Sequence, residues 1–171
     1  MGAEGAWSTP IRVPDAGSYR VFADFKRAGR SETLAADLGV DGPVDWQRMP
    51  PPAPTALSGD GYEVSMEGDG AGRGAQSALG FTVRRDGEPV DVQPYLGARG
   101  HLVALREGDM AYLHVHPTEA KGHGGGHDAQ RGRAPIAFAT EFPTVGRYRL
   151  FLQFKHQDRV RTAAFTREVG R

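Results

Sequence analysis

The sequence predicts an all-β chain: an antiparallel β-sandwich of about seven strands, preceded by the C-terminal strands of a truncated homologous domain. Three observations point there. Short runs of alternating apolar and polar residues recur from Tyr62 to the C-terminus with turn residues between them. No stretch holds a convincing helical period. A 26-residue segment near the start returns, ungapped, near the end.

That repeat sets the domain organisation. "VPDAGSYRVFADFKRAGRSETLAADL" (13–38) aligns with "FPTVGRYRLFLQFKHQDRVRTAAFTR" (142–167) at an offset of 129 residues, with ten identities. Tyr19, Arg20, Phe22, Phe25 and Lys26 are among the residues that meet their like. A repeat unit this long implies duplicated domains rather than a stacked array. The second copy ends a domain whose earlier strands precede it, so the first copy is expected to end one too. Residues 1–40 are therefore read as the C-terminal remnant of a first sandwich, with its missing strands, and any export signal, upstream of Met1. Residues 41–60, with the "PPPAP" core, favour an extended course and are read as a linker, and 61–171 as the complete sandwich.

Within 61–171 the strands follow in order. "YEVSMEG" alternates; a Gly-rich loop (68–75) intervenes; "LGFTVRR" runs into an Asp86-Gly87 turn. "HLVALRE" and "MAYLHVH" flank Gly108-Asp109 as a hairpin, and "PIAFATEF", "GRYRLFLQFKH" and "VRTAAFTREV" complete the set. In the strand from Arg147, Tyr148, Leu150, Leu152 and Phe154 share one face, as a half-buried antiparallel strand requires. By the same reading Tyr19, Val21, Ala23 and Phe25 are expected to belong to the core of the missing first domain. The count and spacing suit a sandwich of the Ig-like kind.

Composition narrows the function. The 21 basic and 21 acidic residues balance, so no net field draws the chain to nucleic acid or an anionic membrane. No cysteine is present, which removes disulfides, thiolate metal sites and a cysteine nucleophile. No run approaches the ~18 apolar residues of a membrane helix, so no transmembrane segment is expected in this chain. No nucleophile elbow, phosphate loop or HExxH motif is present.

Histidine carries the chemistry. Three of the six histidines, His101, His114 and His116, fall in the hairpin "GHLVALREGDMAYLHVHP". A two-residue turn at Gly108-Asp109 would pair Glu107 with Met110, and every opposed pair would then sum to 217. His101 would face His116, Val103 would face His114, and all three histidines would project from one side. Opposed Cβ atoms lie roughly 4.5–5.5 Å apart, close enough for imidazoles to converge on one ion. The loop 117–134 adds Glu119, His123, His127 and Asp128 as sources of a further ligand. With no thiolate, the donor set suits a divalent transition metal, Zn or Cu. An H-x-H strand with a cross-strand histidine equally suits a polar outer face without a ligand, and "HGGGH" is costly to order because of its glycines. His156 is read as a solvated turn residue, and Trp7 and Trp46 as packing or linker contacts.

"PYLGARGHLVALREGDMAYLHVHP", followed by "FATEFPTVGRYRLFLQFKHQDRVRTAAFT", resembles bacterial extracytoplasmic β-sandwich modules with a Pro-Tyr-Leu-Gly-x-x-Gly-His / His-x-His-Pro pattern, often described as heavy-metal or copper associated. The resemblance covers about residues 79–166 and implies an extracytoplasmic, non-enzymatic metal-handling module. Its partners would be a metal ion and other envelope proteins. It carries over Tyr95, Gly97, Gly100, His101, His114, His116 and Pro117, of which the histidines would be the ligands. A structural or adhesive Ig-like module without metal is the alternative. Gly108 and the His114-x-His116 pair also fit the start of the cupin motif of metalloenzymes. That match then fails, because Glu119 follows too early and the second motif has no counterpart.

Overall fold

The computed structural model describes residues 8–68, 72–118 and 135–171; the side chains of Lys26, Ser31, His114 and His116 lie outside the described set. The chain divides into two compact units, Met1–Arg48 and Met49–Arg171. All regular structure among the described residues is strand, and no helix is long and apolar enough to cross a membrane.

The first unit is a hairpin of β1 (Gly17–Arg27) and β2 (Arg30–Val40). They pair antiparallel from Gly17↔Val40 to Arg27↔Arg30. Ala28 and Gly29 form the turn with φ of 50° and 80°, the two successive left-handed residues that suit the twist of a two-residue hairpin. Trp46, read as a packing or linker contact, is 84% exposed; Trp7 lies outside the described residues.

The second unit is an antiparallel β-sandwich. One layer holds β7 (His101–Arg106), β8 (Tyr112–Pro117), β10 (Gly146–His156) and β11 (Arg159–Val169). The other holds β3 (Thr55–Ser58), β4 (Tyr62–Gly68), β5 (Gln76–Arg85), β6 (Glu88–Pro89) and β9 (Ile136–Glu141). Neighbours run β11-β10-β7-β8-β9-β5-β4-β3, with β6 also on β5. The strand β8 joins the layers: Tyr112–Val115 pairs with β7, and His116 and Pro117 pair with β9.

All seven expected strands form. Two more join them, the two-residue β6 beyond the Asp86-Gly87 turn and β3 inside the segment read as linker. β3 escapes a reading by alternation because its central Leu57 is 81% exposed and only four residues pair. Alternation decides the rest. Tyr148, Leu150, Leu152 and Phe154 of β10 are all at most 2% exposed and meet Leu79 and Phe81 of β5, Val64 of β4 and Phe138 of β9 in one core. Burying such side chains is the main stabilising term, about 1.5–3 kcal/mol each. At the end of β4, Gly68 has φ 155°, and a Cβ there would sit 2.4 Å from the Ala78 carbonyl oxygen. Any side chain would force the β4–β5 ladder apart.

Candidate metal centre

Burial in the β7–β8 hairpin fixes which way each residue faces. Leu102, Ala104 and Val115 are buried in the core, so 101, 103 and 105 on β7, and 112, 114 and 116 on β8, occupy outward register positions. The ladder runs Leu102↔Val115, Val103↔His114, Ala104↔Leu113 and Leu105↔Tyr112, each summing to the expected 217. On its other edge β7 sets Gln153 beside His101 and Phe151 beside Val103.

The turn differs from the expected two-residue bend. The backbone N–H of Glu107 donates to the Arg147 carbonyl on β10 (2.8 Å), so Glu107 is not free to pair with Met110. The loop widens to Glu107–Met110: Arg106 N–H donates to Ala111 O (3.1 Å), and Met110 N–H donates to Arg106 O (3.0 Å). Asp109 folds back into this loop, accepting from Arg106 Nε (3.0 Å) and from Ala111 N–H (3.1 Å). The Arg106 guanidinium foremost, with the Ala111 N–H, holds its carboxyl well below the usual carboxylate range. A four-residue loop centred on the same point preserves the register, which is why 217 survives.

The pairing at the far end also differs. His101 and His116 are not joined in the ladder, because β8 leaves β7 after Val115 and pairs His116 with Ala139 of β9. Strand β8 is the crossing between layers, and local pairing rules do not register that.

His101 is half-buried and held. Its Nε2 lies 3.1 Å from the Tyr95 carbonyl oxygen, and its ring meets the Tyr95 ring edge-on at 5.5 Å and 85°. An open cleft of about 560 Å³ is lined by Pro94, Ala98, Arg99, Pro117 and Ile136, and His101 is not among its lining residues. Among the described residues no group of three or more His, Cys, Asp or Glu side chains could hold a metal. The side chains of His114 and His116, and the whole of His123, His127, Glu119 and Asp128, lie outside the described residues.

His156 is not a solvated turn residue. It ends β10 half-buried, with Nδ1 2.7 Å from the hydroxyl of Tyr62, a fully buried residue of β4. Arg85 donates to the same hydroxyl (3.3 Å), and the Arg161 guanidinium lies 4.3 Å from the Tyr62 ring centre. Burial above all, then the charges of Arg161 and Arg85, pushes the His156 pKa below its ordinary value. No local signal announces this cluster, since Tyr62 and His156 stand 94 residues apart.

No curated protein and no solved structure matches the chain. Residues 55–171 match the family described as "Domain of unknown function (DUF8832)". That span takes in every strand from β3 to β11, and the chain belongs to this family.

Proposed function

We propose that this protein is a non-enzymatic, extracytoplasmic metal-binding module that holds a divalent transition metal, Zn or Cu, on the outer face of the β7–β8 hairpin. His101, His114 and His116 would be the ligands, with His123 or His127 of the following loop as a further donor. One observation supports the reading: strand alternation, with Leu102, Ala104 and Val115 buried, gives 101 on β7 and 114 and 116 on β8 outward register positions. Positions 101 and 114 are diagonal neighbours, roughly 7–8 Å apart, and 114 and 116 lie about 6.5 Å apart along β8, spans that long imidazole side chains can close around an ion bound at about 2.0–2.1 Å. The carbonyl contact to His101 Nε2 supports it further, because metal-binding imidazoles are commonly oriented by such a bond on their other nitrogen. The extracytoplasmic setting rests on the sequence resemblance alone.

The β8 crossing favours a second reading, a structural or adhesive module with a polar histidine face, because it removes the direct His101–His116 pair.

Isothermal titration with Zn(II) and Cu(II) separates the two. Wild type is expected to bind at neutral pH, to weaken as pH falls through about 6.5, where imidazole protonates, and to lose binding in His114→Ala/His116→Ala. A bound ion also raises the melting temperature, since it binds the native state alone. Equal binding by wild type and the double variant, or none by wild type, refutes the metal reading.

A further inference from the structure

The segment between β6 and β7 is pinned at both ends. Gln93 N–H donates to the Lys155 carbonyl of β10 (2.7 Å). At the other end Gly100 is wedged between strands: a Cβ there would lie 3.0 Å from the Gln153 carbonyl oxygen and 3.1 Å from Ile136. Between these anchors the chain closes a tight turn. Tyr95 N–H donates to Ala98 O (2.7 Å), Ala98 N–H donates to Tyr95 O (3.2 Å), and Leu96 and Gly97 take φ of 51° and 84°. Two successive left-handed residues make this a type I′ turn. Leucine is rare in that region, and Leu96, 74% exposed, gains no burial there.

The product of the turn is a fixed carbonyl. Tyr95 O lies 3.1 Å from His101 Nε2, and a carbonyl oxygen only accepts, so Nε2 must carry the hydrogen. A neutral ring then has its lone pair on Nδ1. Among the described residues Nδ1 has no hydrogen-bond partner. The edge-on Tyr95 ring limits rotation of the imidazole.

We propose that the Tyr95–Ala98 turn is a positioning element that locks His101 in the Nε2–H tautomer, so that Nδ1 is the atom it offers to a metal ion. The tautomer lock stands on the geometry above; its use for metal rests on the function proposed in the preceding subsection. The turn residues touch no ion and act through His101.

Long-range ¹H–¹⁵N correlation spectra of the metal-free protein at about pH 8, where imidazole is neutral, read the tautomer directly. Wild type is expected to show His101 protonated at Nε2. Gly97→Val should mix the tautomers, because valine disfavours φ 84° although its Cβ would meet nothing within 4 Å. Leu96→Gly, which relieves the strained residue, should keep the wild-type tautomer and shows that the fold tolerates change at the turn. On Zn(II) addition the His101 Nδ1 resonance should shift, and Gly97→Val should weaken Zn(II) binding about tenfold, the usual lower bound for losing such a support. An Nδ1–H signal in wild type, an unaltered tautomer in a folded Gly97→Val protein, or coordination through Nε2 overturns the proposal. Nε2–H with no Zn(II) binding by any variant overturns the metal role while upholding the tautomer lock.

Discussion

The β1–β2 and β10–β11 hairpins are the same structure placed in two environments. Their strand limits differ by 129 residues at all four ends, and each turns through two consecutive left-handed residues, Ala28-Gly29 and Gln157-Asp158. Each ties its tyrosine hydroxyl to the carbonyl four residues earlier, Tyr19 to Asp15 (2.9 Å) and Tyr148 to Thr144 (3.1 Å). Even one cross-strand pair corresponds: Arg20 grips Asp37 (2.6 Å), and Arg149 donates to Thr166 (3.0 Å). Burial separates them. Tyr148, Leu150, Leu152, Phe154 and Ala163 lie in the core, whereas Ala23 is exposed, and Leu34 and Leu38 are 62% and 41% exposed. Shared sequence therefore specifies the hairpin, and the surrounding sheet decides what its apolar face is worth.

Truncating equivalent aromatics breaks or sharpens this contrast most strongly. Phe154→Ala should cost about 3–5 kcal/mol, because a fully buried ring leaves a cavity. Phe25→Ala, on the half-buried copy, should cost less than about 1 kcal/mol. Urea unfolding combined with amide exchange in each hairpin measures both; equal costs would mean that the β1–β2 face is covered in solution.

Removing the tyrosine hydroxyls should have a smaller effect. Tyr148 Oη also lies 2.7 Å from the Thr144 hydroxyl, which accepts from Arg106 (2.6 Å), so Tyr148→Phe leaves the part-buried Thr144 carbonyl short of a donor. About 1–2 kcal/mol is expected there and a few tenths for Tyr19→Phe, read in the same unfolding experiment.

The smallest effect is a pH dependence confined to one copy, because the residue aligned with His156 in the other is Arg27, not a histidine. His156 has a lowered folded-state pKa, so the unfolded chain binds more protons between that value and about 6.5. Stability is full above about pH 6.5 and falls as acid takes the pH toward the folded value. His156→Gln should flatten this part of the stability–pH curve, while β1–β2 amide exchange, corrected for intrinsic rates, stays level. A wild-type slope unchanged by the substitution would remove His156 as its cause.

How far the sequence could be read depends on the range of the interaction. Alternation located seven strands because facing is set residue by residue. The 217 register was legible despite the misjudged bend, since the four-residue loop from Glu107 to Met110 is centred where the two-residue one would be. Three features were not legible: the partner change of β8 at His116, the Tyr62–His156 tie, and the carbonyl of Tyr95 on His101. The first two join segments distant in sequence. The third spans six residues but depends on anchors to β9 and β10.

The amino-acid sequence by itself determined the hairpins, where the β7–β8 turn is centred, and the side of each strand that carries apolar groups. Backbone sterics and two-residue periodicity act within a few residues and need no partner. Tertiary structure alone decided which copy of the repeated hairpin is core, where β8 changes layers, and which nitrogen of His101 is engaged, because each is settled by groups that only folding brings together.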